Sequence, residues 1–195
     1  MSTTAAAAPA GSGRYTTVAI ALHWTIALLI VGQIAGGLYM HELPNSDPQK
    51  FQIYQLHKSF GISVLLLSLG RLAWRATHPA PALPGNLKPW ERIAARVTHI
   101  GFYVLMIGTP LLGWAMVSAS PYNIDTVLFG VVPWPHIPGV ESSKDVEGVF
   151  KELHEIAAFA IIGLLVLHVA AALKHHFMLK DAVVGRMIPV VKPRR

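Results

Sequence analysis

An all-α fold, a four-helix transmembrane bundle running up-down-up-down, is predicted for this chain by three observations. Of its 195 residues 53% are hydrophobic and only 13% are charged, whereas soluble chains carry charge on about a quarter of their residues. The apolar residues gather into four blocks, near 18–40, 60–74, 97–117 and 156–173. Each approaches the about 20 residues that a helix needs to cross about 30 Å of hydrocarbon, where every backbone amide must find its partner within the chain.

Residues 1–13 are rich in Ala, Ser, Thr and Gly and have no basic run before the first block, which predicts a disordered N-terminal tail. The first block exceeds the about 7–15 apolar residues of a signal-peptide core, so it is expected to be retained as a span. The second block is short, and a start near 53 brings it to spanning length and takes in His57. The third and fourth blocks need no extension. Residues 14–180 are thus expected to form one four-helix domain, followed by a basic cytoplasmic tail over 181–195.

Charge gives the expected orientation. With a cytoplasmic N-terminus, twelve basic residues fall on the inner side and only Lys50, Lys58, Lys144 and Lys151 on the outer, as the positive-inside rule requires. Both termini are then cytoplasmic. The basic tail 192–195 reads as a topology signal and a contact for anionic lipid, not as a nucleic-acid site. The absence of cysteine excludes covalent haem attachment, thiolate clusters and disulfides.

Ten histidines are many for so apolar a chain, and ionisable side chains within spans are costly and usually functional. His154 and His168 are fourteen residues apart on the fourth span. That is about 21 Å of rise and only about 40° short of four full turns, so both rings leave one face near opposite surfaces. His57 begins the second span at the outer side and His23 lies just inside the start of the first. Depth therefore pairs His57 with His154 and His23 with His168. Two bis-histidine sites stacked across the bilayer suit the axial positions of two haem irons, and filling both axial positions favours electron transfer. A lone histidine would be read equally well as an interfacial residue bonded to a carbonyl. Zinc fits less well, since it gathers about four ligands at one point.

Further residues follow the same faces. Gly61, one turn after His57, offers room for a flat macrocycle or simply for helix packing. Arg71, fourteen residues after His57, is placed for a haem propionate or as an interfacial anchor. His99 is expected beside the inner site, as a partner to a propionate or quinone carbonyl or as a ligand in place of His23. His175, two turns after His168, is a further propionate or quinone contact. Lys144, Lys151 and Lys58 are candidates for drawing an anion to the outer haem edge.

The order His23-Trp24, then Leu56-His57 with Gly61, then Gly70-Arg71, resembles the bacterial cytochrome b561 family. So do Lys151, His154 and Glu155, and the run Leu167, His168, Ala170, Ala171, His175, His176, Phe177, as does Leu128-Phe129-Gly130 with Pro133-Trp134-Pro135. The chain has Thr98 and His99 where some members carry another nearby histidine. The resemblance implies a dihaem cytochrome of the bacterial inner membrane, with two non-covalent b haems, exchanging electrons with ubiquinone. It implies for some members a superoxide:ubiquinone oxidoreductase activity at the periplasmic face, and for others service as the cytochrome b subunit of a larger dehydrogenase or hydrogenase. The expected partners are membrane lipid, quinone and a redox protein. A haem-free bundle or transporter using its histidines as a proton relay is the rival from another class, and an absorption spectrum separates the two.

Overall fold

The computed structural model describes residues 13–82 and 87–188. The body of the predicted N-terminal tail and residues 189–195 of the predicted C-terminal tail lie outside the described residues. Four long helices follow in order: α1 (Thr17–Glu42), α2 (Pro48–Thr77), α3 (Pro89–Ala119) and α4 (Lys144–Leu173).

Each helix starts where local chemistry satisfies its free N–H groups. The Thr16 hydroxyl accepts from Ala19 N, Asp47 from Gln49 N and Ser143 from Val146 N, which are N-cap bonds. Pro48 and Pro89 occupy first-turn positions, where a missing N–H costs nothing. Lys88 and Ser143, which precede α3 and α4, lie well before the corresponding apolar blocks, so these two helices begin earlier than hydropathy alone indicates.

Among the described residues three helices are long and apolar enough to cross a membrane: α1, α3, and α4 with its continuation to Leu179, with mean hydropathies of 2.0, 1.8 and 2.6. The fourth expected span, α2, has the length at 30 residues but not the composition. Lys50, Gln52, Gln55, His57, Lys58, Ser59, Ser63, Ser68 and Arg71 dilute it. Many of these polar groups turn inward, with Ser59 and Ser68 buried beside Ile62, Val64 and Leu65. Outward-facing positions across the bundle are apolar, as at Leu28, Val104, Phe159 and Leu167, all more than 60% exposed. In water such a surface would aggregate, whereas in lipid it is the solvated face.

The helices pack in chain order, α1 on α2, α2 on α3 and α3 on α4, while α1 and α4 scarcely touch. The core joins Ile26 and Ile30 of α1, Val64 of α2, Met106 of α3 and Ile161 of α4. Ile161 lies seven residues from both His154 and His168, so this apolar plug separates two histidine levels.

Between α3 and α4 a two-stranded antiparallel hairpin, β1 (Thr126–Leu128) and β2 (Val132–Trp134), crosses the end of the bundle opposite the termini. Lys58 Nζ and Gln55 Nε2 donate to Asp125 O at 2.9 and 3.1 Å, Phe129 N donates to Ser59 Oγ at 2.9 Å, and Trp114 Nε1 donates to Pro135 O at 2.8 Å. Ser59→Ala would strand the Phe129 amide at a cost of about 1 kcal/mol or more. Amide exchange at the hairpin is therefore expected to quicken roughly tenfold, as hydrogen–deuterium exchange would report.

At the other end α4 continues as a π-helical turn, Lys174–Leu179, and closes with Lys180 in the left-handed region at φ 52°. The chain then folds back through a short 3-10 turn, Val184–Arg186. The part of the expected tail from 181 to 188 is thus ordered against the helices.

Candidate functional site

Two histidine pairs face each other inside the bundle. The rings of His57 on α2 and His154 on α4 have centroids 6.2 Å apart with an interplanar angle of 70°. The rings of His23 on α1 and His168 on α4 are likewise 6.2 Å apart, at 64°. An imidazole nitrogen about 2.0 Å from a metal lies about 1.1 Å from its own ring centroid, so two axial imidazoles sharing one metal have centroids about 6.2 Å apart. Both pairs match that separation. Within each pair the partners are the ones that depth predicts, and along α4 the levels are about 21 Å apart.

The local bonding sets one ring in a ligating form. His154 Nδ1 lies 2.9 Å from the carbonyl of Thr109. A carbonyl only accepts, so Nδ1 carries the proton and Nε2 keeps its lone pair for a metal. Gly113, one turn beyond Thr109, lies against the same ring: a Cβ there would come within 3.1 Å of His154 Cε1 and Nδ1. On the facing side a Cβ at Gly37 would be 3.4 Å from His57 Cε1, and His57 Nδ1 is buried without a hydrogen-bond partner. Gly37 was not singled out by sequence reasoning.

Gln33 was missed as well. Its Nε2 donates to His57 O at 2.9 Å and fills the space above Gly61, where a Cβ would approach it to 3.2 Å. Gly61 therefore admits the Gln33 amide. The signal was present, since a lone amide within so apolar a helix calls for an internal partner.

The second level is richer. His99 on α3 stands 5.8 Å from the His168 ring and Phe102 5.4 Å from it, so His168 faces two imidazoles. Trp24 packs edge-on against His23 at 5.3 Å. Arg71 donates through Nη1 to Ala19 O at 2.7 Å, which leaves other guanidinium N–H groups for an anion. It lines a small cleft with Tyr15, Trp74, Arg75 and Tyr103. His175 Nδ1 is 2.6 Å from Asp181 Oδ2, and both side chains are largely buried. Asp181 was not foreseen, although it stands alone among the basic residues that end the chain.

The three lysines are not gathered into one patch. Lys58 is tied to Asp125 O and sits over the Tyr54 ring, Lys151 lies 4.0 Å from Glu155, and Lys144 is exposed in the first turn of α4. An open apolar hollow between Phe51, Leu56 and Phe129 lies on the face of α2 away from His57 and does not reach the histidines. Among the described residues no three histidine, cysteine or acidic side chains converge to hold a bare metal ion. Paired imidazoles across a gap instead suit a metal whose equatorial ligands come with it.

The chain also resembles known proteins over nearly all its length. The family model for prokaryotic cytochrome b561 matches residues 14–190. The chain is 32% identical over 176 residues to cytochrome b561 homolog 2 of Escherichia coli K12, covering 90% of this chain and 91% of that protein. It is 29% identical to the probable superoxide oxidase CybB of Yersinia pestis, covering 90% and 96%, and 28% identical to cytochrome b562 of Cereibacter sphaeroides, covering 89% and 94%. A helical membrane protein that places imidazoles in opposed pairs and matches this model along nearly all its length belongs to the prokaryotic cytochrome b561 family, whose members use b-type haem in membrane electron transfer.

Proposed function

We propose that the chain carries electrons across the bacterial inner membrane through two b haems, between a donor or acceptor at the hairpin face and ubiquinone in the bilayer. His57 and His154 hold one haem and His23 and His168 the other. The observation that carries this reading is the 6.2 Å separation repeated in both pairs. Bound haem supplies the one-electron couple. The chain supplies opposed imidazoles, one of them oriented by Thr109 O. It also supplies the apolar plug around Ile161, and a guanidinium at Arg71 for a carboxylate at the level of His23. The charge distribution supports termini on the cytoplasmic side.

The experiment is a reduced-minus-oxidised spectrum and a haem-to-protein ratio on the purified chain. Two haems per chain with b-type bands are expected, and a colourless protein would overturn the proposal in favour of a haem-free bundle. Superoxide is the proposed donor at the hairpin face, which the name of the Yersinia pestis relative supports. Lys144 and Lys151, the more exposed of the three lysines, are its proposed attractants. Reversing both charges is expected to lower superoxide-driven quinone reduction severalfold at low salt and far less at about 1 M salt, where exposed charges are screened beyond about 3 Å. A rate unchanged at low salt would remove the lysines from the mechanism.

A further inference from the structure

The two helices that carry His23 and His168 scarcely pack on one another, so something else must fix their separation. At the terminal end, residues 181–188 run from one to the other. On the α4 side, Asp181 Oδ2 holds His175 Nδ1 at 2.6 Å, while Asp181 Oδ1 accepts from Val183 N at 3.0 Å. On the α1 side, Arg14 donates to the carbonyls of Gly185 at 3.3 Å and Ile188 at 3.2 Å. Trp24 Nε1 donates to Met187 O at 2.9 Å. Trp24 is the residue whose ring packs against His23, and His175 lies two turns beyond His168 on the same face of its helix.

Resting on the reading of His23 and His168 as axial ligands, we propose that residues 181–188 form a strap that sets the distance between those two imidazoles. Asp181 and Trp24 act as positioning residues for the haem at that level. Backbone carbonyls and a buried carboxylate are apt for this task, since each fixes a donor in direction as well as distance. The strap draws the end of α4 toward the start of α1, and the Trp24 edge passes that constraint to the His23 ring. The π-helical turn at 174–179 belongs to the same device. Its wider winding aims His175 at Asp181 and lets the chain reverse at Lys180, in keeping with the tendency of π turns to mark functional places.

The test uses the purified full-length chain with its haem. Asp181→Ala removes both bonds of the carboxylate, and Trp24→Phe removes one N–H while keeping a ring against His23. Affinity for the His23–His168 haem is expected to fall about 10- to 100-fold in Asp181→Ala, the range for lost outer partners of a metal site. Its low-spin resonance should weaken or shift while the His57–His154 signal stays in place. Trp24→Phe is expected to keep both haems and to shift the resonance and potential of the same haem only. Asp181→Asn, which retains an acceptor for Val183 N, is expected to recover most of the loss. Equal loss of both haems in Asp181→Ala would show a general folding role and overturn the proposal. So would two unshifted haems in both Asp181→Ala and Trp24→Phe. His168→Ala run alongside separates the claims: if it loses that haem while the strap variants do not, the ligand reading stands and the strap fails. If His168→Ala loses nothing, the ligand reading itself fails.

Discussion

His168→Ala is expected to leave the chain with one haem instead of two, and His57→Ala to remove the other. In each pair the partner ring is 6.2 Å away, and an iron left with one axial imidazole loses much of what retains a non-covalent macrocycle. The apolar plug between the levels should confine each loss to its own site. A halved haem-to-protein ratio with the remaining haem spectrally unchanged is the result to look for; full pigment in both variants would end the ligand assignment. His23→Ala is expected to be milder than His168→Ala. His99 already stands 5.8 Å from His168 and can supply a second imidazole with a small ring movement, so the haem should remain with an altered low-spin signature.

The second large effect is expected at a residue that binds nothing itself. Gly113→Val places carbon where a Cβ alone would already be 3.1 Å from two atoms of the His154 ring. That ring cannot give way freely, because its Nδ1 is bonded to Thr109 O one turn earlier on α3. Packed interiors do not absorb such crowding without off-rotamer shifts costing about 1–3 kcal/mol. The His57–His154 haem is therefore expected to bind about tenfold more weakly or worse, with the other haem untouched. Gly108→Val makes the control, since nothing lies within 4 Å of a Cβ there. Equal haem content in both variants would show that Gly113 is not the seat of the ring.

Helical periodicity made much of this legible from sequence. The fourteen-residue interval between His154 and His168 fixes their common face, and depth brings His57 to the first and both His23 and His99 to the second, because each of those facts depends only on rise and turn per residue. Composition was less informative for α2, where inward-turned serines and the polar residues of its first turns lower hydropathy without removing the helix. Contacts that depend on how helices rotate against each other were not legible. Gln33 above Gly61, Gly113 beneath His154 and the carbonyl of Thr109 as a bond acceptor all belong to interhelical packing, for which one sequence carries no period. The pairing of His175 with Asp181 was hidden differently, because it needs the backbone to reverse at Lys180, a left-handed residue that is not glycine.

Packing in chain order leaves a seam between the first helix and the last. In lipid, helices associate through close atomic contact rather than through expulsion of water, so a ring of four with one unsealed joint resembles an open staves-and-hoop frame. On the proposed reading, a haem held by His23 and His168 would bridge that joint from within.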